Sequence, residues 1–200
     1  MKSAVFDIET TALEGIGAGI LICVCVRPLS TSRTRTFRID DYKYEPSSEF
    51  GFFDRQERDM LRDVVEELNK YDLLIGHNID GFDLGFLRTR AYRHGISFPL
   101  NPITYDTAKA FRRVRFRTVM NSFGKPTARL DMVADFLGVR QEKTKIYPVE
   151  HWMNIWGNDV QRLEALNNIV DHCVKDVRMN AQIYDVILQH DEKVILKRWY

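Results

Sequence analysis

"KSAVFDIETT", residues 2–11, decides how this chain is read. The apolar run Ala4, Val5 and Phe6 leads into Asp7, Ile8 and Glu9, and two threonines follow. Side chains alternate along a strand, so Asp7 and Glu9 point to one face of an otherwise buried strand. Two carboxylates held side by side repel, and each raises the pKa of the other. Such a pair at the end of a core strand needs a physical reason.

Outward from that strand, "GAGILICVCVRPL" reads as a second buried strand and "RTRTFRID" as a third, more exposed one. Gly15, Gly17 and Gly19 supply the turn between the first two. Three strands ahead of any long helix predict an antiparallel meander. Residues 40–53 read as an irregular loop. "DRQERDMLRDVVEELNKY" carries Met60, Leu61, Val64, Val65 and Leu68 at helical spacing, with Asp54 as its N-cap and Glu57 three residues on. "DLLIGHN" returns as a short strand, and "GFDLGFLRTRAYRHG" is a helix closed by Gly95. "PITYDT" is another strand, and "TARLDMVADFLG" a helix closed by Gly138. Residues 139–152 read as loop. From Asn158 to Gln189 the pattern is helical, with one break into two helices expected. Strands first, then strands alternating with helices, predict an α/β domain with a mixed sheet, an antiparallel meander plus parallel strands flanked by helices. No linker divides it, so residues 1–200 are expected to form a single domain.

The composition narrows the classes. Hydrophobic residues make up 44%, enough for a sizeable core. A net charge of +1 means that any polyanion must be held by a local patch. Cys23 and Cys25 alternate with valines in "LICVCV" and read as small apolar strand residues, and Cys173 leaves the thiol count odd. With no secretory signal, the expectation is a reducing cytoplasm and no disulfide framework. No apolar run approaches the ~20 residues that a membrane span needs.

Two further acids resemble the first pair in their apolar surroundings. Asp83 is flanked by Phe82, Leu84, Phe86 and Leu87, and Asn78 precedes it by five residues. Asp176 borders a helical stripe of Ile169, Cys173 and Val177, with His172 one turn earlier on the same face. Buried carboxylates cluster only when a cation neutralises them. An all-oxygen set suits Mg²⁺ or Mn²⁺ better than zinc. Two such ions ~3.5–4 Å apart support phosphodiester cleavage. A pair of divalent cations shared by Asp7, Glu9, Asp83 and Asp176 is therefore the reason for the opening pair.

"FDIET", "NIDGFD" and "HCVKD" resemble the three motifs of the DEDD (DnaQ-like) 3′–5′ exonucleases, which have a ribonuclease H-like fold. Asp7 and Glu9 fit the first motif. Asn78 and Asp83 fit the second, in the form Asn-x-x-x-Phe-Asp, and Asp176 fits the last acid of the third. "YDTAKAF", "RLDMVADFLG" and the helix around "AQIYDVI" are similar to the proofreading domains of family B DNA polymerases. The resemblance spans Lys2 to Leu188. One branch of the family has Tyr-x-x-x-Asp in the third motif and the other His-x-x-x-x-Asp. This chain keeps the tyrosine spacing and puts His172 in the tyrosine position, with Asp171 where the other branch has histidine.

The resemblance implies a metal-dependent 3′–5′ exonuclease that releases nucleoside 5′-monophosphates from single-stranded or frayed DNA ends. Asp7, Glu9, Asp83 and Asp176 would be its metal ligands, and His172 its base or water-orienting group. Thr10, Leu13, Asn78 and Phe82 would contact substrate, although Asn78 also suits a helix cap. In "KAFRRVRFRTVMNSFGK" basic residues are interleaved with phenylalanines, which suits phosphates and unpaired bases. Arg113 and Arg115 are its candidate substrate contacts, and "RQEKTK" at 140–145 is a second basic stretch. These 200 residues leave no room for a polymerase as well, so a replication or repair polymerase would act in trans. A bacterial or phage source fits that role. The same scaffold and acids also suit an exoribonuclease, because the choice of sugar rests on contacts to the 2′ position. A non-catalytic nucleic-acid-binding subunit would be expected to have lost an acid. An endonuclease would cut circular single strands.

Overall fold

The computed structural model describes residues 1–17, 19–42, 52–99, 103–112, 119–120, 126–139, 152, 154–190 and 197–198. Strand β1 (Ser3–Thr10) pairs antiparallel with β2 (Leu21–Pro28), and β2 antiparallel with β3 (Arg35–Arg38). On its other edge β1 runs parallel to β4 (Leu73–Gly76), which runs parallel to β5 (Ile103–Asp106). A short ribbon, β6 (Val119–Met120) with β7 (Pro126–Thr127), stands apart. Lys197–Arg198 forms β8, antiparallel on β5, and the main sheet reads β3-β2-β1-β4-β5-β8. The expected meander and mixed sheet are present. β8 was not foreseen, because two charged residues carry no strand pattern.

The helices are α1 (Phe52–Leu68), α2 (Asp83–Arg93), α3 (Thr107–Arg112), α4 (Leu130–Phe136) and α5 (Asp159–His190). Ile39–Asp41 and Asn154–Trp156 are 3-10 turns. Gly95 (φ +62°) and Gly138 (φ +67°) follow α2 and α4 in the left-handed region, as helix-closing glycines should. Two expectations need correction. α5 is one unbroken helix of 32 residues, because its stripe of Ala165, Leu166, Ile169, Cys173, Val177 and Ala181 is buried against the sheet throughout. Asp54 is not an N-cap, because α1 begins two residues before it.

β1 and β2 form the centre of the core. Ala4 to Phe6 and Leu21 to Val26 are fully buried, including Cys23 and Cys25. α5 lies across both strands, and the Cys173 thiol donates to the Asp7 carbonyl oxygen at 3.5 Å. All three thiols are free, as expected. β4 pairs with β1 only over Ser3–Val5, so beyond Val5 β1 keeps β2 on one edge and leaves the other edge bare. That parting at the carboxyl ends of parallel strands is where open α/β sheets place their sites.

Candidate active site

Asp7 and Glu9 lie on the part of β1 that has lost β4 as a neighbour but stays paired with β2, opposite Cys25 and Cys23, and they share one face by alternation. The register shifts between Glu9 and Thr10, so the strand kinks just past the second acid. Asp83 opens α2 and is 4% exposed. Its carboxylate accepts the Ile8 N–H and its own backbone N–H, so it caps the stretch of β1 that β4 leaves bare. Asp176 and His172 come from α5, one turn apart. His172 Nε2 lies 3.7 Å from Glu9 Oε1 and 3.6 Å from Asp176 Oδ2. The Trp152 ring meets the His172 ring edge-on at 5.8 Å, and the Trp152 indole N–H donates to the Glu9 carboxylate.

The acids repel one another. Burial pushes Asp7 well above the usual carboxylate range, and the charges of Asp83, Glu9 and Asp176 push it further. Glu9 is raised to about 8, mainly by burial and then by Asp176, against the Trp152 hydrogen bond. Asp83 is raised to about 7 by burial, with Asp106 adding to the push against the two amides. Asp176 is raised by burial and by Asp131, while His172 pulls it back. Among the described residues no lysine or arginine pairs with any of the four. Among the described residues one imidazole, His172, stands beside two of the four acids, Glu9 and Asp176. That donor set fits divalent cations bound through oxygen.

A second group of acids also has ligand atoms close together. Asp54, Glu57 and His94 place theirs within 4.8 Å of one another. A cation is already there. Arg90, 2% exposed, donates to both oxygens of Glu57, one of them at 2.8 Å, and His94 Nε2 lies 2.7 Å from Glu57 Oε2. The Leu21 N–H adds a third donor at 2.8 Å, and Arg93 binds Asp54. Burial alone would raise Glu57, but His94, Arg90 and the Leu21 amide together hold it below its ordinary value. Arg90 fills the place of a metal ion, and the cluster is structural.

The expected substrate contacts divide. Thr10 donates to the Ala12 carbonyl at 2.8 Å, and Leu13 is 83% exposed on the loop just past the first acids. Phe82 is part-buried against Phe86, with ring centroids 5.7 Å apart. Asn78 has φ +68°, a left-handed conformation that costs most residues about 1–2 kcal/mol and asparagine less. Its side chain does not cap α2, whose N-cap is Phe82. A Cβ on Gly81 would lie 2.6 Å from Asn78 Oδ1, so the amide folds over its own turn. Lys109, part of the basic run, is bound to Asp80 and lies 3.6 Å from Asp106 Oδ2, so it is committed within the protein. Arg113, Arg115 and residues 140–145 lie outside the described residues. Sequence reasoning missed Trp152, Asp106 and Asp131, whose approach to the acids depends on long-range packing.

The RNase_H superfamily model matches residues 4–188, nearly the whole chain. The chain belongs to the RNase H superfamily. Among solved structures it is similar to the family B DNA polymerase from the hyperthermophilic archaeon Pyrobaculum calidifontis, with a TM-score of 0.61 and 19% identity. The likeness covers 94% of this chain and 24% of the polymerase chain, and at that identity it shows the fold. No curated protein matches the chain. The mixed sheet with flanking helices is thus an RNase H-like fold. RNase H-like proteins are in general nucleases or related hydrolases, and the nucleases use divalent metals. No helix among the described residues is long and apolar enough to cross a membrane.

Proposed function

We propose that this RNase H superfamily chain, residues 1–200, is one exonuclease domain that removes nucleotides from the 3′ end of single-stranded or frayed DNA. The observation that carries this reading is the convergence of Asp7, Glu9, Asp83 and Asp176, with His172 the one basic side chain paired with any of them among the described residues. The three sequence motifs and the likeness to a family B polymerase support the exonuclease class. Asp7, Glu9, Asp83 and Asp176 would hold two Mg²⁺ or Mn²⁺ ions, which when bound supply an acidified water and charge compensation for the leaving oxygen. The Trp152 indole fixes the Glu9 carboxylate. His172 Nε2, between Glu9 and Asp176, accepts the proton of the attacking water. The water oxygen bonds to the terminal phosphorus and the bond to the penultimate 3′ oxygen breaks with its electron pair on that oxygen; a proton from solvent completes the new 3′ hydroxyl, and a nucleoside 5′-monophosphate is released. Leu13 stands exposed just past the acids, where a terminal base would lie. Thr10, Asn78 and Phe82 line the approach as supports for this surface. Arg113 and Arg115 are proposed to hold the strand's phosphates. A polymerase acting in trans during replication or repair is the proposed partner.

The test is a gel time course with a 5′-labelled single-stranded DNA oligonucleotide and its RNA counterpart, in Mg²⁺, Mn²⁺ and EDTA. A ladder that shortens from the 3′ end of DNA and vanishes in EDTA is the expected result. A ladder on RNA alone changes the substrate to RNA. Cutting of circular single strands makes the protein an endonuclease. Tight binding with no cleavage in either metal overturns the enzyme reading.

A further inference from the structure

Behind the acids lies a buried set of hydrogen bonds that starts where β5 ends. Asp106 has a side chain only 1% exposed. Its Oδ1 accepts the Asn78 N–H at 2.9 Å and the Ala108 N–H at 3.1 Å. Asn78 opens the left-handed turn that leads to Asp83, and its carbonyl accepts the N–H groups of Gly81 and Phe82. Asp106 Oδ2 makes no hydrogen bond, and Lys109, which also binds Asp80, lies 3.6 Å away. The next residue, Thr107, is fully buried. Its hydroxyl lies 2.8 Å from Asn180 Oδ1, 3.2 Å from the Gly76 carbonyl and 3.0 Å from His77 Nδ1. His77 Nε2 in turn faces the Ala128 carbonyl, just ahead of α4. Asn180 is 2% exposed and sits one helical turn past Asp176 on α5.

Two adjacent residues thus touch both carriers of the acids. Asp106 grips the turn that delivers Asp83, and Thr107 grips the helix that delivers Asp176. Both residues lie in "YDTAKAF", a connecting stretch outside the three acid motifs. We propose that Asp106 and Thr107 are positioning residues that fix the Asp83 turn and the Asp176 helix relative to one another. The inference deepens the nuclease reading and rests on it for its activity readout. An error in this spacing is felt where two acids must share cations. Partners one layer behind metal ligands cost about 10–100-fold in metal affinity or activity when removed.

The test replaces Thr107 by valine, which keeps the shape and removes the hydroxyl, with Thr107→Ser as the rescue. Two quantities are read at a temperature well below melting: Mn²⁺ affinity by calorimetric titration, and kcat with KM for a single-stranded oligonucleotide. Thr107→Val is expected to weaken Mn²⁺ binding and lower kcat at saturating metal, each by about 10-fold or more, with KM for DNA little changed. Thr107→Ser restores both. A merely structural role would lower the melting temperature and leave kcat and Mn²⁺ affinity where they were, and that result overturns the proposal. If Thr107→Val does not fold, Asn180→Ala breaks the same link from the helix side and is read in the same way. For Asp106→Ala, amide exchange followed by NMR should show the Asn78 and Ala108 N–H groups losing protection. Protection retained at Asn78 removes Asp106 from the proposal. If the wild-type protein cuts no nucleic acid, the nuclease reading fails by itself, while Mn²⁺ affinity and amide exchange still decide the positioning role.

Discussion

Two clusters of acids in this molecule received opposite treatment. Glu57 is wholly buried, yet Arg90, His94 and the Leu21 amide surround it and hold its pKa below the ordinary value. Asp7, Glu9, Asp83 and Asp176 are also drawn together, and their pKa values all rise. Burial is the largest influence in both places. The difference lies in the counter-charge: a full guanidinium on one side and, among the described residues, a single part-buried imidazole on the other. A fold that can place Arg90 against Glu57 has the means to neutralise acids for stability. Acids left without that treatment are the ones proposed above to hold divalent cations.

The sharpest way to break this comparison is to remove one acid from each cluster. Asp7→Ala or Asp176→Ala should abolish metal-dependent cleavage. The expected loss is about 10³-fold or more, since charge stabilisation of the transition state at such sites amounts to several kcal/mol. The same variants should unfold at higher urea than wild type when metal-free at pH 8, because one buried repulsion is gone. Full activity in either variant would show that the acids bind no catalytic metal. Glu57→Ala should do the reverse. It leaves Arg90 buried without its partner and should cost about 3–5 kcal/mol in urea unfolding. The folded fraction should still cleave. If Glu57→Ala instead loses Mn²⁺ binding at unchanged stability, the roles of the two clusters are exchanged.

The sequence showed these clusters unequally. Asp7 and Glu9 were legible because alternation along an apolar strand fixes which way each side chain points. Asp176 and His172 were legible from helical spacing along α5. The expected break in α5 failed because polar residues such as Asn167 and Asn168 lower local propensity only slightly, and the buried stripe from Ala165 to Ala181 outweighs it. Glu57 was misread as half of a capping pair. Its true partner, Arg90, lies 33 residues away, and no local pattern records a pairing that distant. Trp152 and Asp106 were silent for the same reason. Each reaches the site from its own segment, and only the folded chain brings them to Glu9 and Asp83.

His172 sharpens the comparison from inside the active cluster, since among the described residues it is the one group paired with these acids that can carry positive charge. General-base assistance contributes about 10²–10⁴-fold, so His172→Ala should lower kcat by at least 10²-fold with KM for DNA nearly constant. His172→Tyr, which restores the residue expected from the spacing of the third motif, should recover part of that loss. A fall in kcat of less than about tenfold for His172→Ala would be too small for a proton acceptor and would reduce the residue to a counter-charge for Glu9 and Asp176.

The two clusters also separate along the pH axis. Glu9 is raised to about 8 and Asp83 to about 7 in the folded protein. Unfolded, both groups ionise near ~4. Between those limits the folded state holds protons that the unfolded state has released, so stability falls as pH rises. Each group contributes at most about 1.4 kcal/mol per pH unit over that window. Glu57 has the opposite sign: its stabilisation is present above the unfolded value and lost as pH falls through the lowered folded one. Metal-free protein should therefore lose urea resistance from pH 5 to pH 8. Asp83→Asn should flatten that slope, and Glu57→Gln should leave it unchanged while weakening the protein at every pH above ~4. Mn²⁺ added at pH 8 should restore the lost stability by binding only the folded state. A metal-free protein equally stable at pH 5 and pH 8 would mean that the four acids are not in conflict, and the argument for bound cations would lose its electrostatic ground.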